Sequence, residues 1–290
     1  MKSRISRETY DKLGGANFST IKELLRSPLH YLQALKHERE ITEPLRMGLV
    51  GHILVFEPDR FQDAVAVWAD ENGRRAGKKW EAFCTEAGER IVIREKDLDR
   101  LKLCAAAVRA SPLARQYLAI DGQAELSMAW EDPASGVKCK GRLDWRCAKA
   151  IVDLKLVEDA SPDAFGRAAH TYHWPLQAAW YQRGDAATSG GVVLPFVFLA
   201  VEKTPPFVVQ TYRVGDEVLE YGASEADELL AKLVELRKTW SERSRWAGYS
   251  ASEMELELPR WAWPNEDVNL ADAGLDLTGL EPEEGEESDG

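Results

Sequence analysis

Residues 137–157 read VKCKGRLDWRCAKAIVDLKLV and contain two stretches of alternating side chains separated by a short turn. In the second stretch, IVDLKL, Asp153 and Lys155 point to one face of a strand while the apolar residues between and beside them point to the other. In the first, KGRLDWR, Asp144 alternates with apolar neighbours in the same way. We therefore predict two strands in an antiparallel hairpin or meander, with an acid and a lysine side by side.

The sequence on both sides predicts further strands and helices. The segment AELSMAWED alternates with a period of two, and VVLPFVFLAVE and PFVVQTYRV read as a strand pair around the turn KTPP. Ser19 is a plausible N-cap for the first helix. Other helices are expected over residues 45–56, 95–119, 175–183 and 216–245.

The composition of the 290 residues is that of a globular protein with a sizeable core, at 44% hydrophobic and 30% charged residues. No run approaches the roughly 18 to 20 apolar residues of a membrane helix, and the N-terminus lacks the apolar region of a signal peptide. We therefore expect a cytoplasmic protein. The four cysteines are scattered without a CxxC pair, which favours reduced thiols over disulfides or a zinc site.

The net charge of −12 is unevenly distributed. Residues 261–290 contain ten acidic residues and neither lysine nor arginine, so residues 1–260 carry a net charge of only −2 and can form a basic groove. We predict one domain over residues 1–260 and an acidic, disordered tail over residues 261–290. The tail is either a solubilising segment or a docking strip for a basic partner, with Trp261 and Trp263 as anchors.

The hairpin predicts a cation site. It can bring Asp144 beside Asp153 across the ladder, where two carboxylates repel unless a cation lies between them. Mg²⁺ or Mn²⁺ suits such oxygen ligands, and the carbonyl of Leu154 is a further candidate. Lys155 would orient an attacking water or offset the charge that builds up on a phosphate. Alone, an Asp-x-Lys tripeptide is more often an exposed, salt-bridged strand edge.

Together these motifs resemble the RecB family of nucleases, and specifically the RecE-like (exonuclease VIII-like) exonucleases of phages and prophages. The resemblance rests on GRLDW, on IVDLK, on QAAWY at residues 177–181, on His52 in MGLVGHILVFEP and on the element from Ser19 to Tyr31. It spans about residues 17–213. It implies an α/β (α+β) fold of the PD-(D/E)XK, restriction-endonuclease-like type, with a central mixed sheet flanked by helices.

Carried over to this sequence, the resemblance implies specific roles. The expected metal ligands are His52, Asp144, Asp153 and the carbonyl of Leu154. Glu125 resembles a glutamate used near a second metal, although an exposed strand acid is the alternative. The expected catalytic residues are Lys155, Asp153, Asp144 and Gln177. DNA contacts are expected from Gln177, Tyr181, Arg142 and Lys203, and the i, i+4 spacing of Gln177 and Tyr181 places them on one helix face.

The resemblance also implies an activity and partners. RecE-like enzymes are Mg²⁺-dependent, with Mn²⁺ as a substitute, and degrade one strand of linear double-stranded DNA in the 5′ to 3′ direction. They work as ring oligomers, a trimer or tetramer, and pass the exposed strand to a RecT-like annealing protein during recombination. We expect the same of this chain, with DNA ends as substrate and no membrane partner.

Of three alternatives, the sequence disfavours the first and leaves the other two open. Iron–sulfur nucleases such as the AddB-like proteins share the same residue set, but they need cysteines after the nuclease core, and none follows Cys147 here. A catalytically inactive module could bind DNA or recruit an annealing protein. A structure-specific or restriction-type endonuclease is the third. The basic segment containing Arg74, Arg75, Lys78 and Lys79 is either a DNA-contacting loop or a solvated surface loop.

Overall fold

The two alternating stretches form neighbouring strands in the middle of a six-stranded sheet in the computed structural model of the chain. The structure describes residues 1–36, 41–69, 75–246, 248–249 and 252–258. The strands are β1 Lys2–Ser3, β2 Val65–Trp68, β3 Ile91–Arg94, β4 Gly122–Glu131, β5 Lys138–Cys147, β6 Ile151–Val157, β7 Phe196–Glu202 and β8 Val209–Arg213.

The main sheet is mixed. Its strand order is β1-β4-β5-β6-β7-β8, and every neighbouring pair is antiparallel except β6 and β7, which run parallel. The parallel step requires a crossover, which is supplied by two helices between β6 and β7. Strands β2 and β3 form a separate, parallel two-stranded sheet.

Helices cover both faces of the main sheet. The α-helices are α1 Arg7–Lys12, α2 Phe18–Ile21, α3 Pro28–Lys36, α4 Glu43–Phe56, α5 Phe61–Ala64, α6 Lys78–Ala87, α7 Glu95–Ala110, α8 Pro112–Leu118, α9 Pro162–Thr171, α10 Trp174–Thr188 and α11 Asp216–Lys238. Short 3₁₀ turns are Lys22–Leu25, Pro58–Arg60 and Trp240–Arg245. No helix in the described part of the chain is both long enough and apolar enough to cross a membrane.

Two apolar clusters of the described residues lie on opposite faces of the main sheet, because side chains alternate along its strands. One cluster packs α9, α10 and α11 against the face of the sheet that carries Ile151 and Phe196. The other packs α7, α8 and the end of α4 against the opposite face, which carries Val152 and Leu154. Asp153 therefore faces α10, because it shares the parity of Ile151. The predicted mixed α/β fold with flanking helices is confirmed.

Several predicted bounds differ from the structure. The helix for which Ser19 is the predicted N-cap is α2, and it is capped by Asn17, whose side chain accepts from the backbone N–H of Thr20, so Ser19 is not the N-cap. The long helix α11 ends at Lys238 and not at 245. The elements not predicted from the sequence are β1, β2, β3, α1, α5 and α9.

The packing of α11 on the first turn of α10 depends on Gly222. A Cβ at this position would overlap the carbonyl oxygen of Pro175. Gly222→Ala should lower the free energy of unfolding by about 1–3 kcal/mol, because backbone atoms cannot yield as a flexible side chain can. Gly166→Ala in α9 is the matched control, since nothing lies within 4 Å of its Cβ. Urea unfolding of both variants tests this, and equal stabilities would contradict the packing described.

The chain divides into two units, Met1–Tyr249 and Ser250–Gly290. The first contains all the elements given above. In the second, residues 252–258 are described and form neither helix nor strand. The predicted acidic tail, with Trp261 and Trp263, lies outside the described residues. Its disorder and the domain boundary at residue 260 stay predictions.

Candidate active site

The ladder between β4 and β5 is interrupted where the two acids of the site face each other. Ala124 pairs with Trp145 and Leu126 pairs with Leu143, but no backbone pair joins Glu125 to Asp144 between them. Glu125 has a φ of 51°, a left-handed conformation that costs a non-glycine residue about 1–3 kcal/mol. The strand is therefore bent at the residue whose carboxylate enters the site.

The pairing between β5 and β6 also ends at this point. Trp145 pairs with Val152, but the next position along the ladder would join Asp144 to Asp153, and no backbone pair is formed there. Instead, Asp144 Oδ2 accepts a hydrogen bond of 3.1 Å from the backbone N–H of Leu154. The Asp144 side chain thus closes the gap that the diverging strands leave open.

Helix α4 brings His52 to this gap. A Cβ at Gly51 would lie 2.8 Å from Leu156 Cδ1, so glycine allows the helix to approach β6 closely. His52 Nε2 lies 3.1 Å from the carbonyl oxygen of Leu154 and 3.5 Å from Asp144 Oδ2. The ligand atoms of His52, Glu125 and Asp144 all lie within 4.8 Å of one another.

The donor set fits a hard divalent cation. One imidazole nitrogen, two carboxylates and the carbonyl oxygen of Leu154 converge from four elements, α4, β4, β5 and β6. Carboxylate, carbonyl and water oxygens favour Mg²⁺ or Mn²⁺, and imidazole is compatible with divalent metals. A cation would also satisfy the negative charge that these acids place in a partly enclosed site.

Asp153 lies beside this cluster with different partners. It is 2% exposed, and Gln177 Nε2 donates to its Oδ2 at 3.0 Å. Lys155 Nζ lies 2.6 Å from Asp153 Oδ1 and donates to Gln177 Oε1 at 2.8 Å. Among the described residues, no well-directed hydrogen bond reaches Asp153 Oδ1, so this buried oxygen retains capacity for a further ligand.

The predicted metal ligands are therefore placed in two groups. The structure brings His52, Glu125 and Asp144 together with the Leu154 carbonyl. It places Asp153 outside the three-residue cluster, bound to Lys155 and Gln177.

The charges of the site shift the pKa of its members. Burial raises the pKa of Asp144 to about 7, against the attraction of His52 and with a further upward contribution from the Asp153 charge. Burial pulls the pKa of His52 down, but the surrounding carboxylates, Asp144 foremost, raise it above its ordinary value overall. Without a cation, Asp144 therefore binds a proton more readily near neutral pH than an ordinary aspartate does.

The ammonium group of Lys155 lies over two aromatic rings. Lys155 Nζ is 5.0 Å from the ring centroid of Trp174 and 5.3 Å from that of Phe198. These rings favour the charged ammonium and limit its movement. The sequence analysis does not predict Trp174, although its i, i+3 spacing from Gln177 is a usable signal, because residues three apart share a helix face.

The predicted DNA contacts have diverse surroundings. Tyr181 is half-buried, its ring lies 6.5 Å from that of Phe18, and burial raises the pKa of its hydroxyl well above the usual range. Lys203 forms an ion pair of 2.5 Å with the exposed Glu158. The Arg142 side chain is only 12% exposed and bonds to protein groups. Gln177 bonds to Asp153 and Lys155, as given above.

In the basic segment, Arg75 pairs with Glu43 and Trp80 packs edge-on against Trp68. Arg74 lies outside the described residues. Lys78 and Lys79 are exposed, so the choice between a DNA-contacting loop and a solvated surface loop stays a prediction.

Comparison with known proteins adds the following. Residues 17–251 match the family model of a PDDEXK-like domain of unknown function (DUF3799). The fold is similar to the crystal structure of a presumed exonuclease from Eubacterium rectale, with a TM-score of 0.60 and 15% identity over 96% of this chain and 99% of that one. The structure of SSO0001 aligns with a TM-score of 0.29 and 13% identity over 73% of this chain and 84% of that one. Curated protein sequences give no match.

Proposed function

The chain belongs to the PDDEXK-like family DUF3799, within the PD-(D/E)XK nuclease superfamily, and from this premise we propose that it is a metal-dependent deoxyribonuclease. The observation that carries the proposal is the convergence of His52, Glu125 and Asp144 beside the buried Asp153 and Lys155. An acidic and histidine cluster next to a confined ammonium matches the needs of phosphodiester hydrolysis, which requires a bound phosphate and an activated water.

The residues divide the work as follows. His52, Glu125, Asp144 and the Leu154 carbonyl would hold a divalent ion, with Asp153 adjacent to it. Such an ion polarises the phosphate and lowers the pKa of a bound water. Lys155 is positioned by Gln177 Oε1 and Asp153 to orient the water or to stabilise charge on the phosphate oxygens. Gln177 thereby fixes the geometry of both charged groups at once.

We propose further that the substrate is the end of linear double-stranded DNA, degraded from 5′ to 3′ with Mg²⁺. Single-stranded DNA would then be released for a RecT-like annealing protein by a ring-shaped oligomer. Support comes from the resemblance of the GRLDW, IVDLK and QAAWY motifs to RecE-like enzymes. The name of the Eubacterium rectale protein is consistent with an exonuclease.

The test compares linear and covalently closed duplexes of one sequence, with strand-specific labels at each end. With Mg²⁺ we expect early loss of the 5′ label from linear DNA and no nicking of closed circles. Release from 3′ ends would contradict the polarity. Efficient nicking of circles would indicate an endonuclease, and binding without cleavage in Mg²⁺ or Mn²⁺ would indicate an inactive DNA-binding module.

Metal binding should stabilise the protein in the absence of DNA. An ion at a hundred times its dissociation constant adds about 2.7 kcal/mol to the free energy of unfolding. We therefore expect Mn²⁺ to raise the melting temperature at pH 8, and to raise it less at pH 6. At the lower pH the ion must displace protons from Asp144 and His52, whose pKa values are raised.

Thermal unfolding with Mn²⁺ and with EDTA measures this effect. Glu131→Gln is a matched control, because Glu131 lies on the same strand as Glu125 but is exposed at its end. It should keep the full shift. A shift that is absent in the wild type at pH 8 would contradict the metal site.

A further inference from the structure

An ordered N-terminal segment, residues 1–13, precedes the residues that match the family and is bound to the strands of the candidate site. Strand β1 pairs with β4 through Lys2 with Met128 and Ser3 with Ser127. Lys140 of β5 donates to the carbonyl oxygens of Tyr10, Asp11 and Leu13 at the end of α1. The segment is therefore attached to both strands that carry the acids.

Arg142 links this segment directly to the site. Its Nη1 donates to Glu125 Oε2 at 3.3 Å, and its Nε donates to Ser127 Oγ at 3.0 Å. Its Nη2 donates to the carbonyl oxygens of Ile5 at 3.3 Å and Ser6 at 3.1 Å. One guanidinium thus spans the distance from the N-terminal backbone to the Glu125 carboxylate.

The guanidinium also lies against an aromatic ring of the N-terminal segment. The Tyr10 ring centroid lies 4.5 Å from Arg142 Cζ. A planar guanidinium with five donors can satisfy such a set of acceptors while stacking on a ring, which a lysine cannot do. Contacts with Ser127, with the N-terminal backbone and with the Tyr10 ring therefore fix the Arg142 guanidinium, and its Nη1 donates to Glu125.

We propose that Arg142 is a positioning residue that holds Glu125 in the metal site, and that the N-terminal segment fixes Arg142 for this task. The inference rests on the proposed function, because the group to be bound is the divalent ion of that site. It also accounts for the strained conformation of Glu125: the bend directs the carboxylate inwards, and the arginine keeps it there.

The charge of Arg142, considered alone, predicts the opposite effect of its removal on metal affinity, so the two explanations can be distinguished. Arg142 is a cation beside a cation site, so its charge by itself weakens metal binding. Removing that charge should therefore increase metal affinity if Arg142 does nothing else. If it positions Glu125, its removal should decrease the affinity.

The experiment is calorimetric titration of the full-length protein with Mn²⁺ in the absence of DNA. We expect Arg142→Gln to weaken Mn²⁺ binding about tenfold, the lower range for partners that orient metal ligands. Arg142→Lys keeps the charge but not the fork, and should weaken binding as well. Unchanged or tighter binding in both variants would overturn the proposal.

A double-mutant comparison separates positioning from general loosening of the fold. Glu125→Gln should weaken Mn²⁺ binding, and adding Arg142→Gln to it should cause no further loss, because the arginine acts through that carboxylate. Losses that multiply would show that Arg142 acts independently of Glu125, against the proposal.

Arg146→Gln is the matched control. Arg146 lies on the same strand and binds the buried Asp185, which also pairs with Lys2 of the N-terminal segment. Its loss should reduce stability without changing Mn²⁺ affinity. Absence of Mn²⁺ binding in the wild type would refute the proposed function itself, whereas wild-type binding that is indifferent to Arg142 would refute only this inference.

Discussion

Asp144→Asn should reduce DNA cleavage by roughly a thousandfold, because it removes a proposed metal ligand at the centre of the candidate site. The substitution is nearly isosteric. The amide oxygen of the new side chain can still accept the hydrogen bond from the backbone N–H of Leu154, so the junction between β5 and β6 is retained. The lost activity would then report on charge and ligation, with the fold preserved.

The direction in which Asp144→Asn changes the free energy of unfolding can also be predicted. Burial raises the pKa of Asp144 to about 7, so in the metal-free protein the ionised carboxylate opposes folding above its ordinary pKa. A neutral side chain removes that penalty at pH 8. Asp144→Asn without metal should therefore be at least as stable as the wild type at pH 8. Asp144→Ala removes the same charge but leaves the Leu154 N–H without an acceptor, so it should be about 1–3 kcal/mol less stable than Asp144→Asn.

Initial rates on end-labelled linear DNA and urea unfolding in EDTA measure the two quantities. Glu131→Gln should behave as the wild type in both. Cleavage by Asp144→Asn within a few-fold of the wild-type rate would exclude the assigned site.

Lys155→Met should also reduce cleavage strongly, and unlike Asp144→Asn it should destabilise the protein. The ammonium is 2.6 Å from Asp153 Oδ1, and the Asp153 side chain is only 3% exposed. Removing one partner of a buried ion pair leaves an uncompensated charge, which typically costs about 3–5 kcal/mol. Cleavage should fall by at least a hundredfold, because charge on the phosphate oxygens is no longer offset.

The double variant Asp153→Asn with Lys155→Met tests the cause of the destabilisation. With neither charge present, most of the lost stability should return while activity stays absent. Lys102→Met, which breaks an exposed ion pair with Asp99, should leave both stability and cleavage nearly unchanged. A double variant as unstable as Lys155→Met alone would show that the lysine contributes through packing on Trp174 and not through charge.

The strands at the centre of the fold were predictable because their signal is local. Period-two alternation in residues 137–157 identifies β5 and β6 and places Asp153 and Lys155 on one face. Strands β2 and β3 have four residues each, which is too short for a clear alternation. They pair in parallel across an intervening helix, so no hairpin turn marks them in the sequence. Their existence depends on tertiary contacts that no short window contains.

In the candidate site too, some features are predictable from local sequence and others depend on tertiary structure. Asp144 and Lys155 are found from the alternation of the two strands, and the register of a short hairpin predicts that Asp144 and Asp153 are close. His52 is predicted only from the resemblance to RecE-like nucleases. The left-handed backbone at Glu125 has no sequence signature, because glutamate seldom adopts it. The partners of Arg142 are backbone carbonyls of Ile5 and Ser6, which sequence patterns do not specify.

The hydrogen bond between Asp144 Oδ2 and the Leu154 N–H has an evolutionary consequence. Because this aspartate closes a gap between two strands, selection for a stable fold preserves it even in a descendant that has lost catalysis. Lys155 differs, since it can disappear together with the charge of Asp153 without leaving a buried charge uncompensated. Within this family, the joint presence of the Asp153 and Lys155 pair is therefore a better marker of an active enzyme than Asp144 alone.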